Sequence, residues 1–136
     1  MGGNGRGGGK MNPYFIGNLD TRLINDDRAG LSELLAEFGF YSAKLKRKFT
    51  APIGFRTDFC SVPRVPLAYT ILGNRARKTG TIHDWLYTSH EVTREEADEL
   101  LREMLVINGV SACEAEEFYL AVRAFGGSHW EPAAAA

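Results

Sequence analysis

Cysteine is scarce. Cys60 and Cys113 are the only two in 136 residues, too few for a disulfide scaffold, and they read as free buried thiols in a reducing compartment. No apolar run approaches the roughly 20 residues that cross a bilayer, which excludes a membrane-spanning segment. The opening MGGNGRGGGK has no hydrophobic stretch, so it is no secretory signal, and the chain is expected in the cytoplasm when made. Charge of one sign is also missing: 16 Lys and Arg stand against 17 Asp and Glu, for a net charge of −1. No overall field therefore commits the protein to nucleic acid or to an anionic membrane. HExxH, CxxC, GxSxG, Walker and GxGxxG patterns are all absent. Cys60 and Ser61 are adjacent nucleophile candidates, but nothing in their spacing to a base supports that chemistry.

What is present suits one globular domain. Hydrophobic content is 44% and charged content 24%, ordinary for a single core of this length. Residues 1–11 read as a glycine-rich flexible arm, 12–130 as the folded unit and 131–136 as a disordered tail. PYFIGNLDTRLI and EFGFYSAKLKRKFTAPIGFRTDF carry aromatic and β-branched residues in short runs broken by Asn, Asp, Gly and Pro, the pattern of strands. LSELLA at 31–36 fits either a helical turn or a strand start. The KLKRK run at 44–48 suits a solvated, lysine-protected edge strand better than a nucleic-acid contact. The second half is helical. Arg75 to Tyr87 reads as one helix, although Gly80 lies inside it. TREE at 93–96 and SACE at 111–114 are capping boxes, each opening a helix with an apolar stripe. The fold class is α+β: antiparallel strands first, then about three helices that include an antiparallel helical hairpin.

One polar constellation stands out. In TIHDWLYTS, His83 and Tyr87 are four residues apart and share a helix face, while Asp84 is turned by about 100°. On the next helix Asp98 borders the apolar stripe, from which a carboxylate reaches across the hairpin to His83. That pairing fixes a histidine tautomer and stabilises the imidazolium when the ring takes a proton. Asp58 in GFRTDF, together with Asp84, offers hard oxygen ligands for a calcium or magnesium ion. Each residue also has a plain structural role open to it: a satisfied core histidine, a dipole-complementing Asp98, a turn-capping Asp58.

PIGFRTDFCSVPR at 52–64, IHDWLY at 82–87, TREEAD at 93–98 and AVRAFGGSHW at 121–130 together resemble the phage-associated domain-of-unknown-function family 1353. Ile53 and Cys60 depart from that pattern, each standing where alanine is the usual residue. The resemblance implies a phage or prophage origin; the host cytoplasm as the place of synthesis and association with the virion are separate expectations. A more local likeness, over Ile82 to Leu101, is to phospholipases of the A-two type. It implies His83 as the base that activates water, Asp98 as the acid that orients it, Tyr87 as a supporting donor and Asp84 as the calcium ligand. The glycine- and cysteine-rich calcium loop of those enzymes has no counterpart here. Two functions follow as expectations. One is a metal-assisted hydrolase of an ester, lipid or cell-envelope bond; the other is a virion tail, neck or baseplate protein whose partners are phage structural proteins.

Overall fold

Alternating apolar residues in FGFYS and RKFTA build the first of two small sheets. The computed structural model describes residues 12–25, 31–57 and 74–130. The expected arm and tail, Asp58, Cys60 and the SVPR turn lie outside the described residues. β1 (Tyr14–Ile16), β4 (Phe38–Ser42) and β5 (Arg47–Ala51) form one antiparallel sheet in the order β1-β4-β5. Phe40 pairs with Phe49 and Phe38 with Ala51, so these four share one face, and all four are buried. Between them Gly39 admits no side chain: a Cβ there would lie 2.9 Å from the Phe49 carbonyl oxygen.

The second sheet has the order β2-β3-β6, from β2 (Thr21–Asn25), β3 (Leu31–Leu34) and β6 (Arg56–Thr57). Its inner face carries Ser32, Leu34 and Thr57. Its outer face carries Glu33, flanked by Arg22 at 3.0 Å and Arg56 at 3.9 Å. LSELLA is thus a strand at its start, because Ser32 and Glu33 pair across to β6. The KLKRK run divides. Its first residues make the β4–β5 turn, where Lys46 takes φ 56°, and Arg47 and Lys48 lie exposed on the edge strand β5.

Three helices follow, as the capping signals imply. α1 spans Asn74–Ser89, slightly longer than the sequence pattern suggests, and runs through a buried Gly80. α2 (Arg94–Ile107) begins at the expected box: the Thr93 hydroxyl accepts from the Glu96 amide, and Glu96 accepts from the Thr93 amide. α3 (Ala112–Phe125) is capped by Ser111, which accepts from the Glu114 amide. Here the Glu114 carboxylate takes the Ser111 hydroxyl, at 3.0 Å. Cys113 is exposed, contrary to the expected buried thiol, because it lies off the Ala115–Phe118–Val122 stripe of α3. Among the described residues no helix is long and apolar enough to cross a membrane.

α2 is the two-sided element. Its Ala97, Leu100 and Met104 join Ile82 and Leu86 of α1 and the sheet phenylalanines in the larger core. Its Leu101 and Leu105 meet Ala115, Phe118 and Val122 of α3 in a smaller one. Each fully buried aliphatic or aromatic side chain in these clusters contributes about 1.5–3 kcal/mol. Asp98 borders the Leu101–Leu105 stripe, and its hydrogen bonds go to both neighbouring helices.

Candidate functional site

His90–Thr93 alone separate α1 from α2, so the two helices run antiparallel and their facing residues count in opposite directions. His83 and Tyr87, one turn apart on α1, therefore both meet Asp98. The His83 Nε2 lies 2.9 Å from Asp98 Oδ1, and the Tyr87 hydroxyl donates to the same oxygen at 2.6 Å. His83 and Asp98 are both 0% exposed.

A carboxylate taken out of water costs several kcal/mol unless its lone pairs are met. Here they are. Arg123, on the last turn of α3, donates from Nη1 to Asp98 Oδ2 at 2.9 Å, and Arg94 Nε stands 4.0 Å from the same oxygen. Burial alone pushes the Asp98 carboxyl up. The hydrogen bonds from His83, Tyr87 and Arg123 outweigh that, and Asp98 is held below the ordinary carboxylate range. The Tyr87 phenol is pushed well above its ordinary value, first by burial and then by its bond to the Asp98 anion. Arg123 is raised further by Asp98 despite some opposing desolvation.

The anion also settles the histidine. An ionised carboxylate only accepts, so the Nε2 facing it carries the proton, and in the neutral ring Nδ1 keeps the lone pair. This is the arrangement of a base with an orienting acid behind it.

Arg94 ties the cluster to the chain's C-terminal end. Its Nε donates to the Tyr87 hydroxyl at 3.2 Å, and its Nη2 donates to the carbonyls of Val122 at 2.7 Å and Arg123 at 3.1 Å. Those are carbonyls in the last turn of α3, and the Val122 carbonyl also accepts from the Gly126 amide. Gly126 makes room for the contact: a Cβ there would lie 2.9 Å from the Tyr87 hydroxyl oxygen and 3.3 Å from Arg94 Nη2. Trp130 closes the side, edge-on to Tyr87 with centroids 5.1 Å apart and stacked on His90 at 3.9 Å. His90 adopts φ 57° just past α1, and its Nε2 is buried without a hydrogen-bond partner.

The structure thus brings together three of the five expected residues: His83, Tyr87 and Asp98. Asp84 points elsewhere, accepting a hydrogen bond from the Thr57 hydroxyl of β6. Thr57 precedes Asp58 in the chain, and Asp58 lies outside the described residues. Among the described residues no three His, Cys, Asp or Glu side chains are grouped to hold a metal ion. A calcium ion takes about six to eight oxygens, so the described donors do not by themselves fit one. Arg123, Arg94, Gly126 and Trp130 have no assigned role in the sequence reading. Arg123 reaches Asp98 across 25 positions, which no local spacing reveals. The AVRAFGGSHW segment and the Gly126-Gly127 pair within it were the available signals, since adjacent glycines mark a close approach as well as a helix end.

No curated protein and no solved structure matches the chain. A family model described as "Protein of unknown function (DUF1353)" matches residues 32–122, from β3 to the last turn of α3. The matched span begins ahead of the first segment that carried the resemblance, ends two residues into the last, and takes in His83, Tyr87 and Asp98. The chain belongs to the DUF1353 family.

Proposed function

We propose that the protein is a phage-derived hydrolase of ester bonds, in lipid or cell envelope, with His83 as general base. The observation that carries this reading is the contact of His83 Nε2 with Asp98 Oδ1 at 2.9 Å, shared with Tyr87. In the proposed reaction Nδ1 takes a proton from water as the water oxygen adds to the ester carbonyl. Asp98 balances the imidazolium that forms. The tetrahedral intermediate expels the alkoxide, and the proton on Nδ1 passes to it, leaving acid and alcohol. General-base assistance of this kind contributes about 10²–10⁴ in rate. Calcium or magnesium dependence, through Asp84 and Asp58, is a companion proposal, and the steps above do not run through an ion.

The test is hydrolysis of a panel of ester and phosphodiester substrates, with calcium, with magnesium and with chelator. His83→Ala and Asp98→Asn are expected to lose at least about 10² in rate. Unchanged rates in both variants would sink the assignment.

A second reading has its own observation. The complete burial of His83 and Asp98, with both Asp98 oxygens hydrogen-bonded, also suits a structural joint in a virion tail, neck or baseplate protein. That reading expects no hydrolysis by the wild type, co-purification with particles, assembly defects on removing residues 1–10, and loss of thermal stability in His83→Ala.

A further inference from the structure

The sheet of β1, β4 and β5 has two unlike faces. Inward it turns Phe15, Phe40 and Phe49 in one cross-strand row, packed against the helices. Outward the neighbouring row is Tyr14, Tyr41 and Lys48, since Tyr14 pairs with Tyr41 and Tyr41 with Lys48. Partners on adjacent strands stand about 4.5–5.5 Å apart, so the three form one row about 10 Å wide. The two phenol rings stack, with centroids 5.4 Å apart and planes 25° from parallel. Tyr14 lies on an edge strand and is 45% exposed, so much of the ring that is not against Tyr41 meets solvent.

Cations gather at the same end of the sheet. Within KLKRK, Lys44 is paired with Glu99, and Arg47 lies 3.5 Å from Glu91 and over the Phe49 ring. Lys46 on the turn and Lys48 on the outward row are exposed, and neither has a carboxylate partner among the described residues. Glu37, the acid nearest in the chain before this row, precedes Tyr41 by four residues, about 13 Å along an extended strand. The sequence shows the lysines as a run; the register adds the tyrosines beside them.

Exposed aromatic rings next to unneutralised lysines match a single-stranded nucleic acid, whose bases stack on rings and whose phosphates meet the ammoniums. An anionic lipid surface would also attract the lysines. Docking this face on lipid, however, would leave His83 and Asp98 on the far side of the sheet, behind the phenylalanines. We propose that the outward face of β1, β4 and β5 binds single-stranded nucleic acid. One base stacks on Tyr14 and extends the Tyr14–Tyr41 pair, and Lys46 and Lys48 take the flanking phosphates. The proposal does not depend on the hydrolase reading.

Fluorescence anisotropy of the full chain with a labelled single-stranded oligothymidylate of about 12 nucleotides tests it, at about 50 mM and about 200 mM salt. Dissociation constants of about 10⁻⁶–10⁻⁴ M are expected at the lower salt. The double variant Lys46→Gln, Lys48→Gln is expected to weaken binding about tenfold or more. It should also take about 1.4 from the slope of log affinity against log salt, about 0.7 for each phosphate. Tyr14→Ala is expected to weaken binding about tenfold with the slope unchanged, and Tyr14→Phe to keep it. All three positions are exposed, so these variants leave the core phenylalanines in place. No binding at the lower salt, a wild-type slope in the double lysine variant, or wild-type affinity in Tyr14→Ala overturns the proposal. Tighter retention on phosphatidylglycerol vesicles than on the oligonucleotide, lost in the same variants, also overturns it and assigns the face to lipid. His83→Ala is expected to bind the oligonucleotide as the wild type does, so a failed hydrolysis assay leaves this result untouched.

Discussion

Asp98 is an anion held out of water, and each donor around it bears on whether the protein tolerates that. Asp98→Asn keeps the shape but removes the charge that His83, Tyr87 and Arg123 all address, at a cost on the order of 3–5 kcal/mol near neutral pH. The pH dependence has a definite sign. The folded-state value of Asp98 lies below its ordinary 3.8, so its contribution is fully present above that pH and disappears as pH falls through the folded value. Urea unfolding of wild type and Asp98→Asn should therefore differ most near neutrality and converge in acid. Tyr87 acts at the other end. Its phenol is raised above 10.0, so its contribution holds below that pH and declines as pH rises beyond it. Gly126 supplies a steric test. Gly126→Ala puts a methyl 2.9 Å from the Tyr87 hydroxyl oxygen and is expected to cost about 1–3 kcal/mol. Gly127→Ala, whose nearest neighbour would be 3.6 Å away, is expected to be close to neutral in the same thermal melts.

At the scale of elements, the joints between sheet and helices matter as much as the caps. Glu103 of α2 reaches the β4–β5 turn, accepting from the Ser42 hydroxyl at 2.7 Å and from the amides of Ala43 at 3.0 Å and Lys44 at 3.1 Å. Hydrogen bonds to a charged acceptor are each worth about 1.5–3 kcal/mol before solvent screening, and this one is partly exposed. Glu103→Ala is expected to lower stability by about 2 kcal/mol and to speed hydrogen exchange at Ala43 and Lys44 ahead of the helices. Thr93→Ala, which removes the α2 cap, is expected to cost about 1 kcal/mol. These elements were unequally legible in the sequence. Thr93 and Glu96 sit three residues apart, so the cap that starts α2 could be read directly. β1 instead pairs with β4, past β2 and β3, and no local pattern announces that partition into two sheets. Glu103 belongs to the same class, reaching back about 60 positions to a turn.

For the whole molecule, Asp98 lies at the seam of three helices, bonded to α1 through His83 and Tyr87 and to α3 through Arg123. The α1–α2 half of that seam was legible, because four-residue spacing and a short connection place His83, Tyr87 and Asp98 on facing surfaces. The α3 half was not, because the docking of α3 depends on tertiary packing of Leu101 and Leu105 against Phe118 and Val122. Both the hydrolytic and the architectural reading rest on one electrostatic state: Asp98 ionised and bonded to a protonated Nε2 of His83. Nitrogen-15 NMR of the neutral His83 ring in the folded protein measures this directly. Nε2 is expected to carry the hydrogen and Nδ1 to be unprotonated, with that assignment lost in Asp98→Asn. A hydrogen on Nδ1 and a bare Nε2, meaning that Asp98 is the donor, would contradict it.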